Sequence, residues 1–100
     1  MTSKDPMGSI SEEIGLLERH IMILKTVRDM QPIGLIRLSE LTGIPKHKVR
    51  YSLKLLEQEG LIVATTEGAT VTDRYDSFMQ EISDYVISLE GMVADLKKKL

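Results

Sequence analysis

The 100-residue chain contains no cysteine, which excludes a disulfide framework and a thiolate metal site. No apolar run is long enough to cross a bilayer, and the opening MTSKDPMGS lacks the apolar centre of a secretory signal. A cytoplasmic protein with no membrane partner is therefore expected. Phosphate loops, nucleophile elbows and zinc-hydrolase helices are missing, so no enzymatic activity and no catalytic residue is expected. The two histidines, His20 and His47, fall on different predicted helices with no second ligand at metal spacing, so neither a metal nor a cofactor is expected. His20 reads as a partly exposed helix residue, and Glu12, Glu13 and Glu18 read as a solvated acidic face. A net basic charge is lacking too. The formal charge of −2 counts against indiscriminate coating of nucleic acid, and the length allows one domain, or one domain with an extension.

The charge is unevenly distributed. Between positions 35 and 56 there are five basic residues, Arg37, Lys46, Lys48, Arg50 and Lys54, against one acid, Glu40. All but Arg37 lie within LSELTGIPKHKVRYSLKLLEQEGLI, residues 38–62. Leu38, Leu41 and Ile44 recur at helical spacing up to Gly43 and Pro45, residue types that end one helix and begin the next. In the helix that starts at Pro45, Val49, Ser52, Leu53 and Leu56 share one side, while His47, Tyr51 and Lys54 fall opposite, flanked by Lys48 and Arg50. An apolar back and a basic, aromatic front suit insertion into a negatively charged partner. Tyr51 stands among these charges with no need to pack inward.

Along the rest of the chain, residues 1–8 read as a disordered lead. Ser9 and Glu12 fit a capping box that opens a helix over residues 10–30. Ile14, Leu17, Ile21 and Leu24 form one apolar stripe on it, and Leu16, Ile23, Val27 and Met30 a second, as expected for a helix with two neighbours. Gln31-Pro32 stops it. Residues 33–36 read as a short strand, with Leu35 and Ile36 equally able to begin the next helix. Gly60 closes the basic helix. Residues 61–65 and 69–72 then read as a β-hairpin around Thr66, Glu67 and Gly68.

Residues 73–100 lack proline. Tyr75, Met79, Ile82, Val86, Leu89, Val93, Leu96 and Leu100 are spaced 4-3-4-3-4-3-4, an unbroken heptad seam with valine at two a positions and leucine or isoleucine at three d positions. That combination favours a two-stranded coil. Phe78, Tyr85 and Met92 occupy g positions, so the apolar face is wider than one partner needs, and the g side is expected to dock on the first helix while the seam dimerises. Asp73 and Asp76 at one end and Lys97, Lys98 and Lys99 at the other favour antiparallel pairing.

The segment IGLIRLSELTGIPKHKVRYSLKLLEQEGLIVATTEGATVTD resembles the small winged-helix transcriptional regulators of archaea and bacteria. The likeness rests on the leucine-Ser-Glu-leucine turn before Gly-Ile-Pro, the Val, Leu, Leu-Glu and Gly-Leu-Ile positions that follow, and a hairpin closing on Val-Thr. It implies a mainly α (α+β) fold: a winged helix-turn-helix over residues 9–72 with a small β-hairpin wing, then a long C-terminal coiled-coil helix over residues 73–100. It also implies a homodimeric, sequence-specific binder of double-stranded DNA with its recognition helix, residues 45–59, in the major groove. By position, Lys46, His47, Arg50, Tyr51 and Lys54 match the outward face of that helix, with Arg37 and Lys48 extending the positive surface. Arg50 suits the O6/N7 edge of guanine, and lysine and tyrosine suit phosphates. The wing tip departs from the pattern, offering Thr66, Glu67 and Gly68 where related wings carry Lys or Arg. Either the wing stands clear of DNA, or it only closes the core, or the domain is a protein-interaction module.

Overall fold

The computed structural model describes residues 9–100, and the expected disordered lead, residues 1–8, lies outside them. The elements run α1 (Ile10–Met30), α2 (Leu35–Thr42), α3 (Lys46–Gln58), β1 (Ile62–Thr65), β2 (Gly68–Val71) and α4 (Tyr75–Lys99). This is a winged helix-turn-helix: three packed helices, an antiparallel hairpin pairing Ile62 with Val71 and Thr65 with Gly68, and a long C-terminal helix. Among the described residues, no helix is long and apolar enough to cross a membrane.

The core forms where these elements meet. Ile23, Leu24 and Val27 of α1, Leu38 of α2 and Val49 of α3 have no exposed surface, and Leu56, Ile33, Leu61, Ile62 and Ala69 complete the cluster. Burying an aliphatic side chain of this size contributes about 1.5–3 kcal/mol. The two stripes expected on α1 reduce to one buried set, His20, Ile23, Leu24 and Val27. Ile14, in the second turn, and Met30, at the last position, stay exposed. The capping box does not form. Ser9 has ψ 36°, which turns its side chain away from the amides of the first turn, and it makes no side-chain cap bond.

The expected strand at residues 33–36 is a single bridge. Ile33 exchanges two backbone hydrogen bonds with Ala69 (3.1 and 2.8 Å), and α2 begins at Leu35. Gly68 makes that bridge possible: a Cβ there would lie 2.6–2.8 Å from the backbone of Ile33. Against the expected strands, β1 begins one residue later and ends at Thr65 as expected, and β2 is shifted one residue earlier; Leu61 is buried in the core, its carbonyl accepting from the Thr72 amide (3.0 Å).

The first turn of α4 packs on this body. Tyr75, Phe78 and Met79 lie partly buried against the core, with the Arg28 guanidinium 5.4 Å from the Tyr75 ring centre. Burial raises the Tyr75 phenol above its ordinary pKa, with the Arg28 charge opposing. Farther along, α4 leaves the body, and every residue from position 90 to 100 is exposed.

Candidate nucleic-acid interface

The turn before α3 is locked by side chains that the sequence places there. Gly43, in the left-handed region at φ 74°, donates its amide to the Ser39 carbonyl (2.9 Å). The Ser39 hydroxyl donates to the Ile44 carbonyl (2.6 Å), and Thr42 Oγ1 donates to the Leu38 carbonyl (2.7 Å). These bonds fix the angle at which α3 leaves α2. Val49, Ser52 and Leu56 then seat α3 on the core, so its opposite face projects outward without freedom to rotate.

All six predicted contact residues on α3, Lys46, His47, Lys48, Arg50, Tyr51 and Lys54, are exposed. They do not form one patch. Arg50 and Lys54 line a cleft of about 320 Å³ between α3 and the wing, beside Ala64, Thr65 and Gly68. Lys48 lines a larger cleft, about 670 Å³, on the other flank, shared with Glu12, Glu18 and Arg19 of α1. Arg37 sits on α2, where it is paired with Glu40 at 3.8 Å with both side chains mostly exposed. Such a pair is worth under about 1 kcal/mol and exchanges readily for another anion.

Tyr51 departs from its expected role as a free aromatic. Its ring is half exposed, yet it lies 6.1 Å from the His20 ring and 5.7 Å from the Arg19 guanidinium. Beneath it is a polar cluster with no counterpart in the sequence expectations. Ser52 is fully buried; its Oγ accepts a hydrogen bond from Arg19 Nε (3.1 Å) and lies 2.8 Å from His20 Nδ1. His20, expected to be partly exposed, is buried, and its Nε2 has no hydrogen-bond partner among the described residues. Desolvation, then the Arg19 charge, lowers its pKa below the ordinary 6.5, so the ring is neutral near neutral pH. The signal that could have found this cluster is Ser52 itself, a hydroxyl on the buried face of α3 that needs a partner.

At the wing tip, Thr66 Oγ1 donates to Glu67 Oε2 (2.9 Å), and the tip holds no cation. The predicted dimer seam is divided by the fold. Tyr75 and Met79 pack against their own core, Ile82 and Leu89 are half-buried, and Val86, Val93, Leu96 and Leu100 are exposed. Of the g positions expected to dock on α1, Phe78 packs against the core, whereas Tyr85 and Met92 point to solvent. Val86, Leu89 and Val93, with Glu90, Ala94 and Lys97, instead share an open apolar groove of about 480 Å³ with Ile14 and Leu17. The helix crosses α1 on the side of its a and e positions.

Comparison with known proteins decides the kinship. The family described as "CggR N-terminal DNA binding domain" matches residues 9–86, the winged helix-turn-helix and the first half of α4. The chain belongs to that family. It is thus a DNA-binding domain of a family of prokaryotic transcription regulators. The chain is also 24% identical over 83 residues to the central glycolytic genes regulator of Priestia megaterium, covering 83% of this chain and 24% of that protein. It therefore spans about a quarter of the length of this curated relative. Among solved structures, the activation domain of the phage T4 transcription factor MotA is similar in fold. Its TM-score is 0.59 at 14% identity, over 87% of this chain and 98% of that one.

Proposed function

We propose that this protein binds double-stranded DNA sequence-specifically as a dimeric transcription regulator, with α3 in the major groove. The observation that carries the reading is the rigid seating of α3, which presents His47, Arg50, Tyr51 and Lys54 outward while Val49, Ser52 and Leu56 anchor its back. Arg50 reads a base edge, since its planar fork can pair with guanine through two donors; Lys46, Lys48, Tyr51 and Lys54, with Arg37, hold phosphates. Residues 9–72 serve as the DNA-binding body and residues 73–100 as the dimerisation helix. Arg50→Glu should abolish salt-sensitive binding to duplex DNA, measured by fluorescence anisotropy, while leaving the thermal melt intact. Equal binding by variant and parent refutes the assignment.

The dimer rests on the exposed seam of α4. An antiparallel pairing sets Val86 against the partner subunit's Leu89 and Ile82 against the partner subunit's Val93. The same register brings Asp76, in the first turn of α4, to the partner subunit's Lys97, in its last. A helix of 25 residues is about 37 Å long at 1.5 Å per residue. Bodies held at its two ends would be separated by about one turn of DNA, ~34 Å. Leu89→Glu should give monomers by sedimentation, and a parent that is monomeric at high concentration would refute the dimer.

The acidic wing tip favours a second reading, a protein-interaction module. Affinity for mixed duplex DNA separates the two readings. Phosphate-driven binding weakens steeply as salt rises, whereas a protein module shows little affinity at any salt.

A further inference from the structure

The two flanks of α3 differ in what they offer to a DNA backbone. On the wing side, no Lys or Arg occurs from residue 61 to residue 73, and the tip presents Glu67. On the α1 side stands Arg19. Its Nε is committed to Ser52 Oγ (3.1 Å), and its guanidinium rests 5.7 Å from the Tyr51 ring centre. Glu12 and Glu18 line the same cleft, yet no carboxylate among the described residues lies within ion-pair distance of Arg19. The two Nη groups are therefore available, on a side chain already held in place from behind and from one face. An arginine fixed this way loses little rotamer freedom on binding, and its remaining donors match a phosphate. Lys48 lines the same cleft and adds a second cation.

We infer that Arg19 of α1 is a DNA phosphate contact, gripping with Lys48 the backbone on the flank of α3 away from the wing. It supplies the charge that the wing lacks. The inference rests on the reading that α3 enters the major groove, because only then does a phosphodiester strand pass beside each flank.

The test is the salt dependence of DNA affinity for the parent, Arg19→Met and Arg19→Lys, each checked for an unchanged far-UV spectrum. Loss of one charge-assisted contact predicts about tenfold weaker binding by Arg19→Met at low salt. The plot of log affinity against log salt should become shallower by about 0.9, one phosphate's worth. The loss should be equal for selected and random duplexes, since a phosphate carries no sequence. Arg19→Lys should recover the parental slope although it cannot reproduce the Ser52 bond and the guanidinium plane together. An unchanged slope in Arg19→Met, or a slope in Arg19→Lys as shallow as in Arg19→Met, overturns the assignment and leaves the proposed function standing. Absence of DNA binding by the parent overturns both. Should Arg19→Met fail to fold, phenylglyoxal modification of the parent, read by mass spectrometry, decides. Duplex DNA should protect Arg19, and equal modification with and without DNA overturns the contact.

Discussion

The body and the far half of α4 contain similar apolar residues at similarly regular spacing, and they meet opposite fates. In the body, Ile23, Leu24, Val27, Leu38 and Val49 are wholly removed from water. In α4, no residue is buried, and Val93 and Leu96 are 65% and 57% exposed. Periodicity therefore reports that a helix face wants cover. Whether the cover comes from the same chain depends on which elements the connections bring alongside. The short connections between α1, α2 and α3 fold them onto one another. The exit of α4 from the wing packs its first residues beside Arg28 and leaves the later ones facing Leu17 and Ile14 of α1 across an open groove.

Three variants sharpen that contrast, the largest expected effect first. Leu24→Ala empties space at the centre of the body and should cost about 2–5 kcal/mol, lowering the melting temperature by about 8 °C or more, as roughly 4–8 °C accompanies each kcal/mol in a domain of this size. Thermal unfolding followed by circular dichroism measures it. A loss below about 1 kcal/mol would mean that the body is not the packed unit described.

The second concerns the polar cluster within the body. His20 has a lowered pKa when folded, so between that value and the ordinary 6.5 the unfolded chain binds more protons than the folded one. Its contribution to stability is complete above pH 6.5 and is lost as pH falls through the window below it. The melting temperature of the parent should thus fall more steeply below pH 6.5 than that of His20→Gln. Parallel profiles would show that the ring is as free to take a proton as in the unfolded chain.

Val93→Ala should have the smallest effect. In dilute protein it should change stability by under about 0.5 kcal/mol, and the proposed dimer predicts a larger loss at concentrations where a second copy would cover the seam. A loss in dilute protein as large as that of Leu24→Ala would erase the contrast between the two regions.

Much of the fold was legible in the sequence for local reasons. Gly43 and Pro45 punctuate α2 and α3, Gly60 and Gly68 bracket the first strand of the hairpin, and the helical spacing of Val49, Ser52 and Leu56 identified the buried back of α3. What was not legible was long-range. Ser9 and Glu12 have the composition of a capping box, but the backbone angle at Ser9 prevents it. Both stripes on α1 have helical spacing, but Ile14 of the first faces α4 only across an open groove and Met30 of the second stays exposed. Tyr51 looked unattached because Arg19 and His20, its neighbours in space, are about thirty positions away in the chain.

The chain by itself determined the helix-turn-helix, the hairpin and the basic front of α3, because caps, turns and amphipathic spacing act over a few residues. Tertiary structure alone decided which cations share a flank. It buried His20 and Ser52 together, turned the a and e side of α4 toward α1, and set Arg19 against Tyr51 at the edge of the recognition surface. These are contacts between segments distant in sequence, fixed by how α1 crosses α3, and no spacing within either helix specifies that crossing.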